Sequence, residues 1–230
     1  MLYKNCINIE NEEDYYEKIC AVIKNEAIAN IKSKGNFTFA ISGGKSPKYI
    51  FNKLTTNRFV GIEWSKVSFF WVDERVISSN SDENNYELAN EYLFSKLTPN
   101  PKKIFKINVD IEINSSILLY EKIIFENVQD RTNGLPSFDL VLLGMGEDGH
   151  IASIFSNIPS YLTNKYVFTS GLIHNGFFRI SLGFPLINNS KRILLLVNNK
   201  AKLDIFFKNE QELPVHKINS SITTIFIHEK

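Results

Sequence analysis

The stretch FDLVLLGMGEDGHIASIF, Phe138 to Phe155, decides how the rest of the chain is read. Its opening run, FDLVLLG, is the most apolar strand-like segment of the sequence. A short run that is apolar on both faces predicts a strand inside a sheet covered on both sides. The run ends in a glycine-rich turn, Met145 to His150, and a short helix is predicted from there to before Pro159. Strand, polar turn and helix form the repeating unit of a parallel α/β sheet.

The same alternation extends in both directions. From Asn11 to Lys34 the apolar residues Tyr15, Ile19, Val22, Ile23 and Ala27 recur at helical spacing, with Glu12, Glu13 and Asp14 in the first turn and Gly35 after the end. FTFAIS (Phe37 to Ser42) predicts a strand, followed by a helix with Ser46 as N-cap and Pro47 at its first position. VSFFWV (Val67 to Val72) predicts a second central strand, then a polar loop and a helix over 83–97. A short strand near 104–109 and a helix over 113–128 precede the opening stretch. Beyond it, YVFTS, FRISLG, RILLLV and TTIFIH read as strands, with a helix over 200–208. The expectation is one α/β domain over 1–230, with a mostly parallel central sheet and helices on both faces. Ligands of such sheets bind at the carboxyl ends of the strands, so loops that follow strands should converge there.

Bulk properties narrow the function. The 230 residues are 43% hydrophobic, enough for a sizeable core, and carry a formal net charge of +1. A near-neutral chain is not expected to bind duplex nucleic acid, although a few convergent cations can still hold a small anion. No stretch approaches the roughly 20 apolar residues of a membrane span. The N-terminal MLYKNCINIENEEDYY has neither an apolar signal core nor the composition of a transit peptide. Cys6 and Cys20 lack metal or redox spacing, so reduced thiols and a cytoplasmic location are expected.

Three loops carry candidate chemistry. In AISGGKSP, adjacent glycines between a strand and a helix can place backbone N–H groups around an anion: Ser42, Gly43, Gly44, Lys45 and Ser46. The alternative is an ordinary tight turn. A nucleotide P-loop is excluded because the glycine required five residues before Gly44 is replaced by Phe39. In WVDERVISSNSDENNY, Asp73, Glu74 and Arg75 follow a central strand. They either pair with one another on the surface or face a ligand, and an arginine fork suits phosphate. In LGMGEDGHIASIF, Gly144, Gly146 and Gly149 satisfy GxGxxG, but the next strand offers no ribose-binding acid, and Glu147 and Asp148 would repel a pyrophosphate. What remains is His150 at a predicted helix start, where the dipole would favour the neutral imidazole a general base requires. A histidine that only caps the helix is the alternative. Arg179, in FRISLG, and Lys200, opening a helix, join by residue type. No cofactor and no metal is implied, since there is no HExxH and no ligand-spaced cluster.

Together these segments resemble the 6-phosphogluconolactonase family along most of the chain. The family's SGGSTP, DER with an ESNY-like element, LGMGxDGHTASLF, and RITL with a later lysine-alanine pair are matched in order. Here they read Ser42 to Pro47, Asp73-Glu74-Arg75 with Glu83 to Tyr86, Leu143 to Phe155, and Arg179 to Leu182 with Lys200-Ala201. The resemblance implies the fold of glucosamine-6-phosphate and ribose-5-phosphate isomerases. It implies hydrolysis of 6-phosphogluconolactone to 6-phosphogluconate in the oxidative pentose phosphate pathway. His150 would activate water with Asp148 nearby, and Asp73 and Gly146 would line the site. Arg75, the Ser42 to Ser46 loop, Arg179 and Lys200 would hold the phosphate or neighbouring oxygens. The partners implied are a phosphosugar lactone and water, and a monomer is expected.

Lys45, Ser46 and Ile151 depart from the family pattern, which has Ser-Thr in the first loop and Thr after the histidine. Two rival functions follow from the same fold: an isomerase or deaminase acting on an amino-sugar phosphate, and a non-catalytic sugar-phosphate sensor. The isomerase branch continues after its histidine with a glutamate that assists catalysis, whereas this chain continues Ser153-Ile154-Phe155-Ser156 with no carboxylate.

Overall fold

The computed structural model of the protein describes residues 5–78, 81–171, 176–208 and 210–229, so Ser79 and Asn80 of the second loop lie outside the described residues. In chain order the elements are β1 (Cys6–Asn8), α1 (Glu12–Lys34), β2 (Phe37–Ile41), α2 (Lys45–Leu54), β3 (Val67–Trp71), β4 (Asp73–Arg75), α3 (Asn85–Tyr92) and β5 (Lys103–Phe105). There follow α4 (Ile113–Asn127), β6 (Arg131–Thr132), β7 (Leu135–Pro136), β8 (Leu140–Gly144), α5 (Ser160–Thr163), β9 (Val167–Thr169), β10 (Arg179–Leu182), α6 (Phe184–Ile187), β11 (Ile193–Val197), α7 (Lys200–Phe207) and β12 (Thr223–Ile227).

Seven strands form the central sheet in the order β1-β12-β11-β8-β2-β3-β5, and every neighbouring pair is parallel. Every residue of β2, β3, β11 and β12 is buried, so both faces of the sheet are covered, as their unbroken apolar runs require. Aromatic residues dominate the middle: Phe69 packs edge-on against Phe94 with ring centroids 4.9 Å apart, and Phe70 lies 5.1 Å from Phe138. Below the amino end of β8, buried Asp139 accepts from the backbone and hydroxyl of Thr38 and pairs with Lys34 and Lys191, satisfying a carboxylate with no exposed side-chain surface.

Between β2 and β8 the chain reverses its direction of growth: β2 is followed by β3 on one side, while β8 is flanked by β11 on the other. A crevice opens at such a switch point. The Ser42 hydroxyl spans it, donating to the Leu142 carbonyl at 2.8 Å.

The local expectations hold for most elements. Asn11 caps α1 through its side chain, and Gly35, at φ 80°, closes it. Four points need correction. Gly44, not Ser46, precedes α2, and Ser46 lies within the first turn. The helix expected over 83–97 is only Asn85–Tyr92, capped by Asn84 and followed by a 3-10 turn at Phe94–Lys96. Asp73, Glu74 and Arg75 are a strand, not a loop: β4 joins β10 and β9 in a small antiparallel sheet. No helix starts at His150; Ile151 bridges Met145 and Ile154 instead, and Ala152 takes a positive φ of 47°. Folding back this way buries Ile151 and Ile154 almost completely, and burying two isoleucines outweighs the weak helix preference of so short a segment.

Candidate active site

β11, β8, β2 and β3 are consecutive in the sheet, and the segments leaving their carboxyl ends surround one cavity of about 260 Å³. Ser42, Gly43, Gly44, Lys45, Ser46, Asp73, Arg75, Gly146, His150 and Arg179 all line it, as do Asn85 and Lys202. A larger groove along α1, about 880 Å³, gathers no comparable set, and its Arg58 is paired with Glu17.

The histidine is held by its own turn. The Gly146 N–H donates to the His150 carbonyl at 2.8 Å, and Gly149 takes the left-handed φ of 81° that the reversal demands. His150 Nδ1 lies 2.5 Å from Asp148 Oδ1, which also accepts from the His150 backbone N–H at 3.2 Å. Burial pushes the Asp148 carboxyl up, but its hydrogen bond and charge interaction with His150 outweigh this and hold it at about 2. An ionised acceptor at Nδ1 favours the tautomer with the proton on that nitrogen and the lone pair on Nε2. Asp148, rather than a helix terminus, is therefore what orients the imidazole. Gly146 is required for packing: a Cβ there would lie 2.1 Å from His150 Nδ1. The Phe155 ring stacks obliquely on the imidazole, 4.5 Å away.

The small sheet supplies the arginines. Arg75 and Arg179 are register partners across β4 and β10, as are Asp73 and Ser181. Directly opposed like charges destabilise a sheet unless something neutralises them. Arg75 is partly neutralised by Glu83, with its Nη1 also donating to the Glu83 carbonyl at 2.9 Å. Arg179, only 6% exposed, has Asp73 at 3.7 Å. Burial lowers its pKa; Asp73 opposes this, and Arg75 adds to it. The Nε atoms of both arginines are buried without a hydrogen-bond partner. Both guanidinium groups line the cavity, so this wall of it carries positive charge. Asp73 is fixed by the Ser153 hydroxyl at 2.5 Å, which ties β4 to the histidine segment.

The glycine loop and α7 close the other side. Gly43 lies so near Asn85 that a Cβ would be 1.9 Å from its Oδ1. Lys200, expected in the site, is not brought there. It is exposed and pairs with Glu229 at 3.0 Å and Asp204 at 3.8 Å. Lys202 enters the cavity instead, its Nζ 3.3 Å from Asn198 Oδ1. Burial lowers the Lys202 pKa, Glu147 opposes this, and Lys45 adds to it. At about 100° per residue, Lys202 projects between Ile205 and buried Phe206, whereas Lys200 projects beside exposed Phe207. The difference rests on the burial of Phe206 and exposure of Phe207, which the sequence does not show, since apolar residues flank both lysines on the helix. Asn199 caps α7 by accepting from the Lys202 N–H at 2.8 Å, and its Nδ2 reaches Glu147 at 3.2 Å. Ser153, Asn85 and Asn199 are the other site-building residues that sequence reasoning missed. Asn85 lies within the Glu83 to Tyr86 element, which marks it in the sequence, whereas the roles of Ser153 and Asn199 depend on tertiary contacts.

Fold and cavity together define an α/β protein with two arginines and an oriented histidine around one crevice at a switch point of its sheet. The chain belongs to the family of glucosamine-6-phosphate isomerases/6-phosphogluconolactonase, whose model matches residues 10–226. It is 33% identical to a probable 6-phosphogluconolactonase of Dictyostelium discoideum, over 98% of each chain. It is 37% identical to a probable chloroplastic 6-phosphogluconolactonase 3 of Oryza sativa, over 80% of this chain but only 58% of that relative's length. Its fold superposes on the crystal structure of 6-phosphogluconolactonase from Thermotoga maritima with a TM-score of 0.85, at 25% identity over 98% of this chain and 99% of that one.

Proposed function

We infer that the protein is a 6-phosphogluconolactonase, hydrolysing 6-phospho-D-glucono-1,5-lactone to 6-phosphogluconate. Its relatives carry that name. The observation that carries the reading is that the in-register Arg75–Arg179 pair lines the same cavity as His150. A phosphate dianion fits the arginines, because a planar fork donates two parallel charge-assisted bonds. Lys202 and Lys45 supply further positive charge on the opposite wall, beside the glycine loop.

In the mechanism we propose, the lone pair of His150 Nε2 takes a proton from water as its oxygen bonds to lactone C1. Asp148 stabilises the resulting imidazolium across the 2.5 Å contact. The oxyanion on the former carbonyl is met by backbone N–H groups of the glycine loops or by a nearby cation. Its collapse breaks the bond from C1 to the ring oxygen, which takes the proton from His150, and the new carboxylic acid ionises. The imidazole returns to its starting state, so no co-reactant is consumed.

We further propose that the protein acts as a monomer in the cytoplasm. Cys6 and Cys20 are both free thiols, in keeping with a reducing compartment. No helix among the described residues is long and apolar enough to cross a membrane. The functional reading is tested by offering the protein two substrates. Freshly generated 6-phosphogluconolactone should be hydrolysed well above the spontaneous rate, and glucosamine-6-phosphate should release no ammonia. Ammonia release without lactone hydrolysis would place the chain in the isomerase branch, and binding without turnover would make it a sensor.

A further inference from the structure

Glu74 lies between two residues assigned to the site, yet it does not line the cavity. Alternation along β4 explains this: Asp73 and Arg75 point to one face, Glu74 to the other. There it is 1% exposed, an unusual place for a carboxylate. No cation lies within ion-pair distance of it among the described residues. Three backbone N–H groups take that role. Oε1 accepts from Arg75 at 2.8 Å and from Asn85 at 2.8 Å, and Oε2 accepts from Tyr86 at 2.9 Å. Asn85 and Tyr86 are the first two residues of α3, so the carboxylate sits on the positive end of that helix.

Two of these three contacts lead back to the cavity, which Arg75 and Asn85 line. The bond to Arg75 fixes the backbone from which its guanidinium projects. The bond to Asn85 fixes the residue whose Nδ2 donates to the Asp73 carbonyl at 2.9 Å and whose side chain lies against Gly43. One buried carboxylate thus joins the arginine strand, the first turn of α3 and the glycine loop. A carboxylate with no role beyond stability would be a poor choice here, since burying its charge is costly.

We propose that Glu74 is a positioning residue for phosphate recognition: its carboxylate clamps β4 to the amino end of α3 and so sets Arg75 and the glycine loop at the spacing the phosphate group requires. The inference rests on the phosphate reading of Arg75 given above. The test compares Glu74→Gln with the parent enzyme on two lactones, one phosphorylated and one (glucono-1,5-lactone) not. The amide keeps the shape but must turn an N–H toward a backbone N–H. The expected result is a KM for the phosphorylated lactone raised about tenfold, the scale of one weakened charge-assisted contact. The kcat should stay within about threefold, with kcat/KM for the phosphate-free lactone unchanged. Equal losses on both substrates, or no rise in KM, would overturn the proposal, because damage to folding alone cannot choose between the two. Arg75→Ala serves as the control. If it too fails to distinguish the lactones, the phosphate reading fails and the proposal with it; if it distinguishes them and Glu74→Gln does not, only the positioning role fails. Should Glu74→Gln not fold, Glu74→Asp carries the test, because the shorter side chain draws the carboxylate back from the N–H groups of Asn85 and Tyr86: the same selective rise in KM supports the clamp, and an unchanged KM overturns it.

Discussion

Arg75 and Arg179 stand directly opposite one another on antiparallel strands, with the Nε of each buried and unpaired. Both guanidinium groups line the cavity, and in the proposed function they hold the substrate phosphate. Arg75→Gln should raise KM for the phosphorylated lactone at least tenfold, in line with about 1.5–3 kcal/mol for a charge-assisted contact. Ligand-free stability should change little, because the Glu83 that Arg75 leaves behind is exposed. Inorganic phosphate should raise the melting temperature of the parent protein but not of the variant. Equal stabilisation of both would place the phosphate elsewhere.

Two lysines two residues apart should behave differently. Lys202→Met removes a half-buried cation from the cavity wall and should raise KM several-fold. Lys200→Met should leave both kinetic constants unaltered, since Lys200 pairs at the surface with Glu229. Steady-state kinetics of the two variants decide this, and the reverse pattern would mean that α7 is turned the other way in the working enzyme.

Much of this architecture was legible in the sequence. The apolar runs at Phe37, Val67, Leu140, Ile193 and Thr223 gave the core strands, because strands covered on both faces need such runs. Ten of the residues assigned from motifs meet in one cavity: nine lie on segments leaving the carboxyl ends of adjacent parallel strands, and the small sheet brings Arg179 to them. The small sheet was not legible as a sheet. β4 is three residues long and charged, so only its pairing with β10 makes it a strand. The helix expected at His150 failed for a related reason: the burial that folds Ile151 and Ile154 back is set by the surroundings. Lys202 was not legible either, because apolar residues lie beside both lysines of α7 and only packing buries Phe206 while leaving Phe207 exposed.

Asp148→Asn should lower kcat about 100-fold or more while leaving KM near the parent value. An amide can present either its oxygen or its NH₂ to Nδ1, so the productive tautomer of His150 is no longer selected. Because Asp148 is held at about 2, its own titration cannot produce an acid limb of activity near neutrality. Rate profiles from pH 4 to 8 for both proteins check this; a variant with full kcat would show that the Asp148 contact does not contribute to the chemistry.

Stability should carry the mark of Glu74. Burial lifts its pKa to about 7, against the pull of the three backbone N–H groups. Between the unfolded value of about 4.3 and that figure, the folded protein holds a proton that the unfolded chain has lost. This group's contribution to stability therefore falls as pH rises through that window. In Glu74→Gln that component is absent. Urea unfolding at pH 5 and at pH 7.5 should show a less negative pH slope for the variant than for the parent, and parallel slopes would contradict the assignment.

The most direct test of the account is the turnover of freshly generated 6-phosphogluconolactone by His150→Ala, with spontaneous hydrolysis subtracted at each pH. A positioned general base contributes roughly 100- to 10,000-fold. The account predicts a fall of that order in kcat, with 6-phosphogluconate still bound as tightly as by the parent protein. A variant that hydrolyses the lactone at near the parent rate would show that His150 is not the base.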